Sequence, residues 1–485
     1  MYRSLRRLAA GVRRWLRAIL SNPFRDERRH PGRASTQEST PSTPARPTAP
    51  LKRDISKAYP RESKQNLYDA VDFLRGAEVD RRNQQVVSRI RGRGRSGSPL
   101  RVTFLANDRA KWNATPLVEE MRRRGWDVGI ALALTDARDL DRAGRQESYQ
   151  REREYFTELD AYLHTLYDPD ADRAVPVETL DTDVVFYQQP WGMRDFPRRM
   201  VGRSLAAYMH YGFVIMANHG MHYNIGTFHS YLWRYFTQTE EHRLMHLAHD
   251  PSAADRLVVT GYPKLDVYVD IDPTERVDHH LWASTSGAAK RMIFAPHHSL
   301  GQDNLRMSTF RWTGRAMLDL AREHQDIQWV YKPHPTLKYS VVKNGVMTRD
   351  EYRAYEASWD EQPNAAVYDS GDYFDLFRSS DGLITDCGSF LAEYLPTGNP
   401  IIRLVEADSI PLNDVGTALS PAFYEAHDLE RLHELFTAVV LRGEDPLAGE
   451  RVAAATKLFP SGSPTRSSVA VTDHLAEALF EDPDL

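Results

Sequence analysis

The feature that most constrains this chain is a strand–helix alternation that runs once, breaks and runs again. Short β-branched and aromatic runs at residues 101–106, 128–134, 182–187, 211–217 and 257–260 are separated by polar or amphipathic stretches. Thr115-Pro116 opens one intervening helix, with proline in the first turn and Glu119 and Glu120 at the positive dipole end, and Gly125 closes it. A second series follows at 291–295, 327–332, 366–368, 383–385 and 400–404. Strands joined by helical crossovers pair in parallel. Two domain-sized series therefore predict an α/β protein of two Rossmann-like lobes facing across a cleft, one over residues 61–275 and one over 276–485, with the boundary near 270–288. A last helical stretch near 465–481 is placed to pack back across the lobes.

The chain has 485 residues, 41% hydrophobic and 27% charged, which fits a soluble globular protein. A net charge of -5 gives no reason to expect nucleic-acid binding, and the single Cys387 cannot form an internal disulfide, which fits a reducing compartment. No apolar run reaches the length of a transmembrane helix. The first 20 residues differ from the rest. They hold Arg3, Arg6, Arg7, Arg13, Arg14 and Arg17 and no acid, while Leu5, Leu8, Val12, Trp15, Leu16 and Ile19 recur at helical spacing. A helix over 1–22 would carry one apolar stripe flanked by guanidinium groups, the pattern of a helix lying on an anionic membrane surface. The other reading is a helix packed on its own domain or on a partner. Arginines interrupt each apolar run and no cleavage site follows, which argues against a signal peptide. Residues 23–60 include a stretch at 30–54 rich in Pro, Ser, Thr and Arg, which predicts a disordered tether.

Three segments of the second lobe read as buried strands running into polar turns: Phe294-Ala-Pro-His-His-Ser299, Tyr331-Lys-Pro-His-Pro335 and Leu383-Ile-Thr-Asp-Cys-Gly-Ser389. In open α/β sheets ligands bind beyond such strand ends. Lys332 and His334 each precede a proline, which holds both in extended backbone. His334 suits donation to a phosphoryl oxygen, and Lys332 supplies charge. In the third segment Gly388 lets a ligand approach the backbone, Ser389 caps the following helix or donates to an anion, and Asp386 orients a neighbour. Glu393, one turn on, can accept hydrogen bonds from ribose hydroxyls. The blander reading is a rigid turn and a plain helix cap. His297 and His298 serve as surface or site residues. Together with His334 and Asp386 they have the residue types of a zinc cluster, but no H-E-x-x-H spacing occurs, so neither a metal nor a cofactor is expected. In the first lobe Asn218-His219-Gly220 follows the 211–217 run. A strand-end His219 would face the cleft opposite His334 and can take a proton from a hydroxyl. His210, His222 and His229 read as structural or rim residues.

In order and content, His219-Gly220, Gly261-Tyr-Pro-Lys264-Leu-Asp266, Lys332-Pro-His334-Pro335 and Asp386-Cys-Gly-Ser389 with Glu393 resemble the motifs of the CDP-glycerol glycerophosphotransferase family, which includes the teichoic-acid primases and polymerases. The resemblance covers roughly residues 180–405. It implies a GT-B fold with an acceptor lobe followed by a nucleotide-donor lobe. It implies transfer of a polyol phosphate from a CDP-activated donor to a hydroxyl of a membrane-linked glycan or polymer, with release of CMP, in wall or capsule synthesis on the inner face of the cell membrane. His219 would be the general base. His334 and the 385–389 turn, Thr385 included, would hold the pyrophosphate, with His298 and Lys264 completing the substrate site. The chain departs from the family after His-Gly, where Met221-His-Tyr-Asn224 replaces the usual lysines. Lys264 stands where arginine is usual, and Cys387-Gly388 where Tyr-Ser is common. Two alternatives stand beside this reading: a nucleotide-sugar glycosyltransferase or epimerase of the same fold, and a catalytically degenerate membrane-associated scaffold.

Overall fold

Both strand series close into parallel sheets. The computed structural model describes residues 76–480, apart from short segments at 136–139, 161, 224, 270–276, 278, 283–289, 302–304, 369–371 and 463. The amphipathic stretch at 1–22 and the tether at 23–60 lie outside the described residues. The first sheet contains β1 (Arg101–Ala106), β2 (Asp127–Leu132), β3 (His164–Thr165), β4 (Val184–Tyr187), β5 (Leu205–Met209), β6 (Arg234–Thr237) and β7 (Leu257–Val259) in the order β3-β2-β1-β4-β5-β6-β7. The second contains β8 (Lys290–Ala295), β9 (Ile327–Tyr331), β10 (Ala365–Val367), β11 (Gly382–Thr385), β12 (Ile401–Leu404) and β13 (Tyr424–Ala426) in the order β10-β9-β8-β11-β12-β13. Every pairing within these two sheets is parallel. The strand order reverses once in each sheet, the doubly wound plan repeated in two lobes. The architecture is α/β and GT-B-like.

The central strands are apolar on both faces because helices cover both. All five residues of β5 and all five of β9 are buried. Aromatic rows fill the spaces between strands and helices. Phe104 stacks on Phe186 at 4.7 Å in the first lobe, and Tyr331 lies nearly parallel to Trp359 at 5.1 Å in the second. Full burial of each such ring is worth roughly 1.5–3 kcal/mol.

One expected strand is absent. Residues 211–217 are rich in β-formers, yet the strand at this place is β5, which ends at Met209. The later run satisfies its backbone in another way. Ala217 N–H donates to Pro411 O at 2.9 Å, Asn413 N–H donates to Ile215 O at 2.9 Å, and Met216 bridges Leu412 in antiparallel sense. Its β propensity is spent on a seam between the lobes rather than on the sheet. Asn413 fastens the seam from both sides: its Nδ2 donates to Val214 O at 2.9 Å, and its Oδ1 caps the helix Asp414–Leu419 by accepting Gly416 N–H at 2.8 Å.

The helix Ser467–Phe480 follows the second lobe in sequence and packs on the first. Val471, Leu475 and Leu479 share a core with Val86, Val87 and Ile90 of the helix Gly76–Gly94 and with Leu117 and Met121 of the helix Thr115–Arg123. Asp266 fixes its start by accepting the N–H groups of Ser467 and Ser468 at 2.7 and 2.9 Å. Gly261 makes the turn that brings Asp266 there, with φ +92 and Ser467 Cβ 3.3 Å from the place a Cβ would occupy. Among the described residues, no helix is long and apolar enough to cross a membrane.

Candidate functional site

The two switch points, between β1 and β4 and between β8 and β11, open toward each other. Turns after β8, β9 and β11 bring His297, Lys332, His334 and Ser389 to one pocket, whose opposite wall carries Lys111 from beyond β1 and Tyr211 and Gly212 from beyond β5. Lys264 and Glu393 line it as well.

The turns after β8 and β9 present their histidines in the same way. His297 Nδ1 faces the N–H of Ser299 at 3.2 Å and the Ser299 hydroxyl at 2.8 Å. That hydroxyl oxygen already accepts Met307 N–H at 3.0 Å, so its own proton is available to His297. His334 Nδ1 likewise faces the N–H of Thr336 at 3.2 Å and the Thr336 hydroxyl at 3.0 Å. A ring nitrogen that accepts carries no proton, so the neutral imidazole bears its hydrogen on Nε2. Burial pushes both rings well below the usual histidine range, and Lys111 and Lys332 add to this at His334. These groups are therefore neutral N–H donors, and the positive charge of the pocket comes from lysines. His298 lies 4.3 Å from the His297 ring and 4.2 Å from the His334 ring, centroid to centroid. Ring nitrogens of the three histidines come within 4.8 Å of one another, a proximity that the spacing of a linear motif does not show. A metal needs a lone pair where His297 and His334 carry a proton, so their hydrogen bonding suits an anion better.

Two buried lysines share one aromatic ring. Lys264 Nζ lies 4.9 Å and Lys332 Nζ 5.0 Å from the centre of Tyr373, and Lys332 is also 5.0 Å from Tyr368. Lys264 donates to the Tyr373 hydroxyl at 3.0 Å, and that hydroxyl donates to Glu393. The Tyr262 hydroxyl lies 2.8 Å from the other Glu393 oxygen and 2.6 Å from Tyr211 O. Burial raises the Glu393 carboxyl and lowers Lys264, while each partly offsets the other's cost. Both Glu393 oxygens thus already have tyrosine partners.

Of the residues singled out by sequence, Lys264, Lys332, His334, Ser389 and Glu393 line the pocket, and His298 packs against His334. Thr385 and Asp386 lie beneath the wall. The Thr385 hydroxyl donates to Ala295 O at 2.6 Å and accepts Cys387 N–H at 2.9 Å. Asp386 accepts the N–H of His297 and both the N–H and hydroxyl of Thr309, at 2.7 and 2.8 Å, and burial pushes its carboxyl up to about 6. Gly388 faces the other lobe: a Cβ there would lie 2.9 Å from Met216 Cγ. His219 is half-buried at the start of the short helix His219–His222, with its ring 5.4 Å from His249, and it does not line the pocket. Its Nδ1 is buried without a hydrogen-bond partner. Sequence reasoning missed Lys111, Tyr373 and the Tyr211-Gly212 wall. A polar turn directly after β5 was the available signal, hidden by the stronger β character of 211–217.

No family model matches the chain, and no curated protein sequence does, so these comparisons lend the CDP-glycerol glycerophosphotransferase resemblance no support. Solved structures overlap with it loosely. A putative UDP-N-acetylglucosamine 2-epimerase from Listeria monocytogenes is similar at TM-score 0.49 and 12% identity, over 79% of this chain and 99% of that one. The Neisseria meningitidis UDP-GlcNAc 2-epimerase bound to UDP-GlcNAc gives 0.48 and 12%, over 78% and 99%. S. aureus MnaA with UDP gives 0.47 and 12%, over 79% and 99%. Overlaps this loose carry no argument about activity.

Proposed function

We propose that this chain is an enzyme that holds a nucleoside-diphosphate-linked donor between its lobes, with the diphosphate on the second lobe. One observation carries this reading: the Nε2–H donors of His297 and His334 stand beside Lys332 in a pocket that Lys111 completes from the other lobe. Breaking a bond to a nucleotide phosphate requires mainly positioning and neutralisation of developing charge, which neutral donors and fixed cations in a secluded site supply.

Two chemistries fit this donor class. The first is nucleotide-sugar epimerisation or glycosyl transfer. It can draw on Glu393, a pocket-wall carboxyl whose affinity for protons burial raises and whose two oxygens meet Tyr262 and Tyr373. Polyol-phosphate transfer from a CDP donor agrees with the order of the four sequence motifs. In that reaction an acceptor oxygen attacks the β-phosphorus, and Lys332 and His334 hold the charge left on departing CMP. The basic stripe over 1–22 supports work at an anionic membrane surface. Vesicle binding that weakens with salt and disappears on deleting 1–22 is expected, and equal binding by the truncated chain refutes it.

Thermal unfolding of the purified chain with UDP, UDP-GlcNAc, CDP-glycerol, CDP-ribitol and CMP tests the donor. A ligand present at a hundred times its Kd adds about 2.7 kcal/mol to apparent stability. Stabilisation by uridine ligands, with an epimer or free UDP as product, selects the sugar chemistry. Stabilisation by cytidine ligands, with CMP as product, selects phosphate transfer. Stabilisation by none of them removes the donor reading and leaves the scaffold.

A further inference from the structure

We infer that His222 is the proton acceptor for the incoming hydroxyl at this site and that His210 is the residue that positions it, an inference that rests on the transferase form of the reading above. Because β5 ends at Met209, the strand-end histidine of the first lobe is His210 rather than His219. Its Nδ1 lies 2.8 Å from Gly212 O and 3.1 Å from Gly212 N. The two contacts call for opposite tautomers, since Gly212 N–H donates to a bare Nδ1 while Gly212 O accepts from Nδ1–H; we take the shorter, donation to the carbonyl, whose oxygen also accepts from Gln238 Nε2 at 2.7 Å. His210 Nε2 then carries a lone pair and accepts from His222 Nδ1 at 3.1 Å. The Nε2 of His222 is left as a basic nitrogen, the polarity opposite to that of His297 and His334.

The pair adjoins the pocket wall from behind Tyr211 and Gly212 and, like His219, is not itself among the lining residues. Tyr211 and Gly212, the two residues after His210, line it, and the His210 ring stacks on Tyr211 at 4.9 Å. A Cβ on Gly212 would stand 4.0 Å from His210 Cε1 and 3.8 Å from Ser389 Oγ, so the ring and the donor-side serine flank one point of the cleft. Half-buried Trp191 packs on His210, Tyr211 and His222 with centroids 5.7, 5.8 and 6.2 Å away, an aromatic platform on which the apolar face of a sugar or polyol can rest.

Burial is the first cause holding His222 neutral, and the charges acting on it come from His210, His219, His242 and His229. In the reaction the acceptor's O–H proton passes to His222 Nε2. The oxygen's electron pair forms the bond to the donor's phosphorus or anomeric carbon, and the bond to the nucleotide phosphate breaks with its pair leaving on the nucleotide. The resulting imidazolium stays hydrogen-bonded through Nδ1–H to His210 and later returns its proton to solvent.

Long-range ¹H–¹⁵N spectra of the full chain labelled at histidine, assigned with His222→Gln and His210→Gln, read the tautomers directly. The Nδ1–H form is expected for His222, and the Nε2–H form there overturns the proposal whatever the donor. With the donor that the nucleotide panel identifies, His222→Gln should lower kcat roughly 10²- to 10⁴-fold with nucleotide affinity retained. His210→Gln should lower kcat less and shift the acid limb of the pH–rate profile. Full turnover by His222→Gln, or loss of turnover by His219→Gln alone, overturns the assignment. Silence across the whole panel refutes the transferase reading, while the tautomer spectrum still decides the polarity of the pair.

Discussion

Asp386, at the end of β11, accepts the backbone N–H of His297, at the end of β8. The contact crosses the switch point of the second sheet. A carboxylate with no place in the pocket lining thereby sets the turn that presents a pocket histidine, and its remaining bonds to Thr309 tie that turn to the start of the helix Phe310–Glu323.

Asp386→Ala should therefore cost stability and ligand affinity together. It strands two buried N–H groups and one hydroxyl, and we expect a loss of about 3 kcal/mol or more in urea unfolding. Retention of wild-type nucleotide affinity would show that the His297 turn holds its shape unaided.

His334→Ala should weaken binding of a nucleoside diphosphate roughly 10- to 100-fold, the scale of a hydrogen bond to a charged group, with an unchanged unfolding midpoint. Thr336→Val keeps the ring and removes one of the two donors that fix its tautomer. A smaller weakening by calorimetry is expected, and none at all would assign the tautomer to the backbone N–H alone.

Glu393→Leu leaves Lys264 buried beside the Tyr373 ring without the carboxylate it reaches through the Tyr373 hydroxyl. A destabilisation of about 3–5 kcal/mol is expected, and adding Lys264→Met should recover much of it in a double-mutant cycle. Additive losses would show that the two groups are energetically independent.

Acid should unfold the first lobe early. Burial lowers His210 and His242 to about 4 and His229 to about 3. A depressed histidine takes up protons in the unfolded chain first, so its contribution is complete above pH 6.5 and declines as pH falls toward the folded value. Each of the three should cost about 1 kcal/mol at pH 5.5. Asp386, raised to about 6, acts in the opposite direction between about pH 4 and 6 and offsets part of this. A urea midpoint equal at pH 7.5 and 5.5 would contradict the histidine burial.

Gly416→Ala sets a methyl carbon 2.4 Å from Ile215 O, backbone that cannot turn aside. The helix Asp414–Leu419 must then move off the first lobe. We expect a loss of roughly 1–3 kcal/mol and a less compact solution scattering profile. Wild-type values for both would mean that the seam yields without cost.

The sheets were legible because their strands are short buried runs between turn residues, and the sequence limits of β1 agree with the structure to the residue. Lys332 and His334 were legible because proline marks the strand end that carries them. His210 was not, since 211–217 has more β character than Leu205–Met209 with its two alanines, and only the seam with 411–413 explains where that character goes. The tautomers of His297 and His334 depend on a hydrogen bond two residues on, which no spacing rule encodes. Lys264 and Asp266 stand in one sequence motif, yet their work differs: one charges the pocket, and the other caps a helix two hundred residues away.

That cap has a consequence for how the protein is made. The first lobe emerges from the ribosome well ahead of the second, yet Val471, Leu475 and Leu479 of its core are translated only after the second lobe is out. Until then the helices Gly76–Gly94 and Thr115–Arg123 expose the apolar surface that those residues will cover. The lobe synthesised first is the one finished last, and a chain stalled between the two is a client for chaperones rather than a free-standing domain.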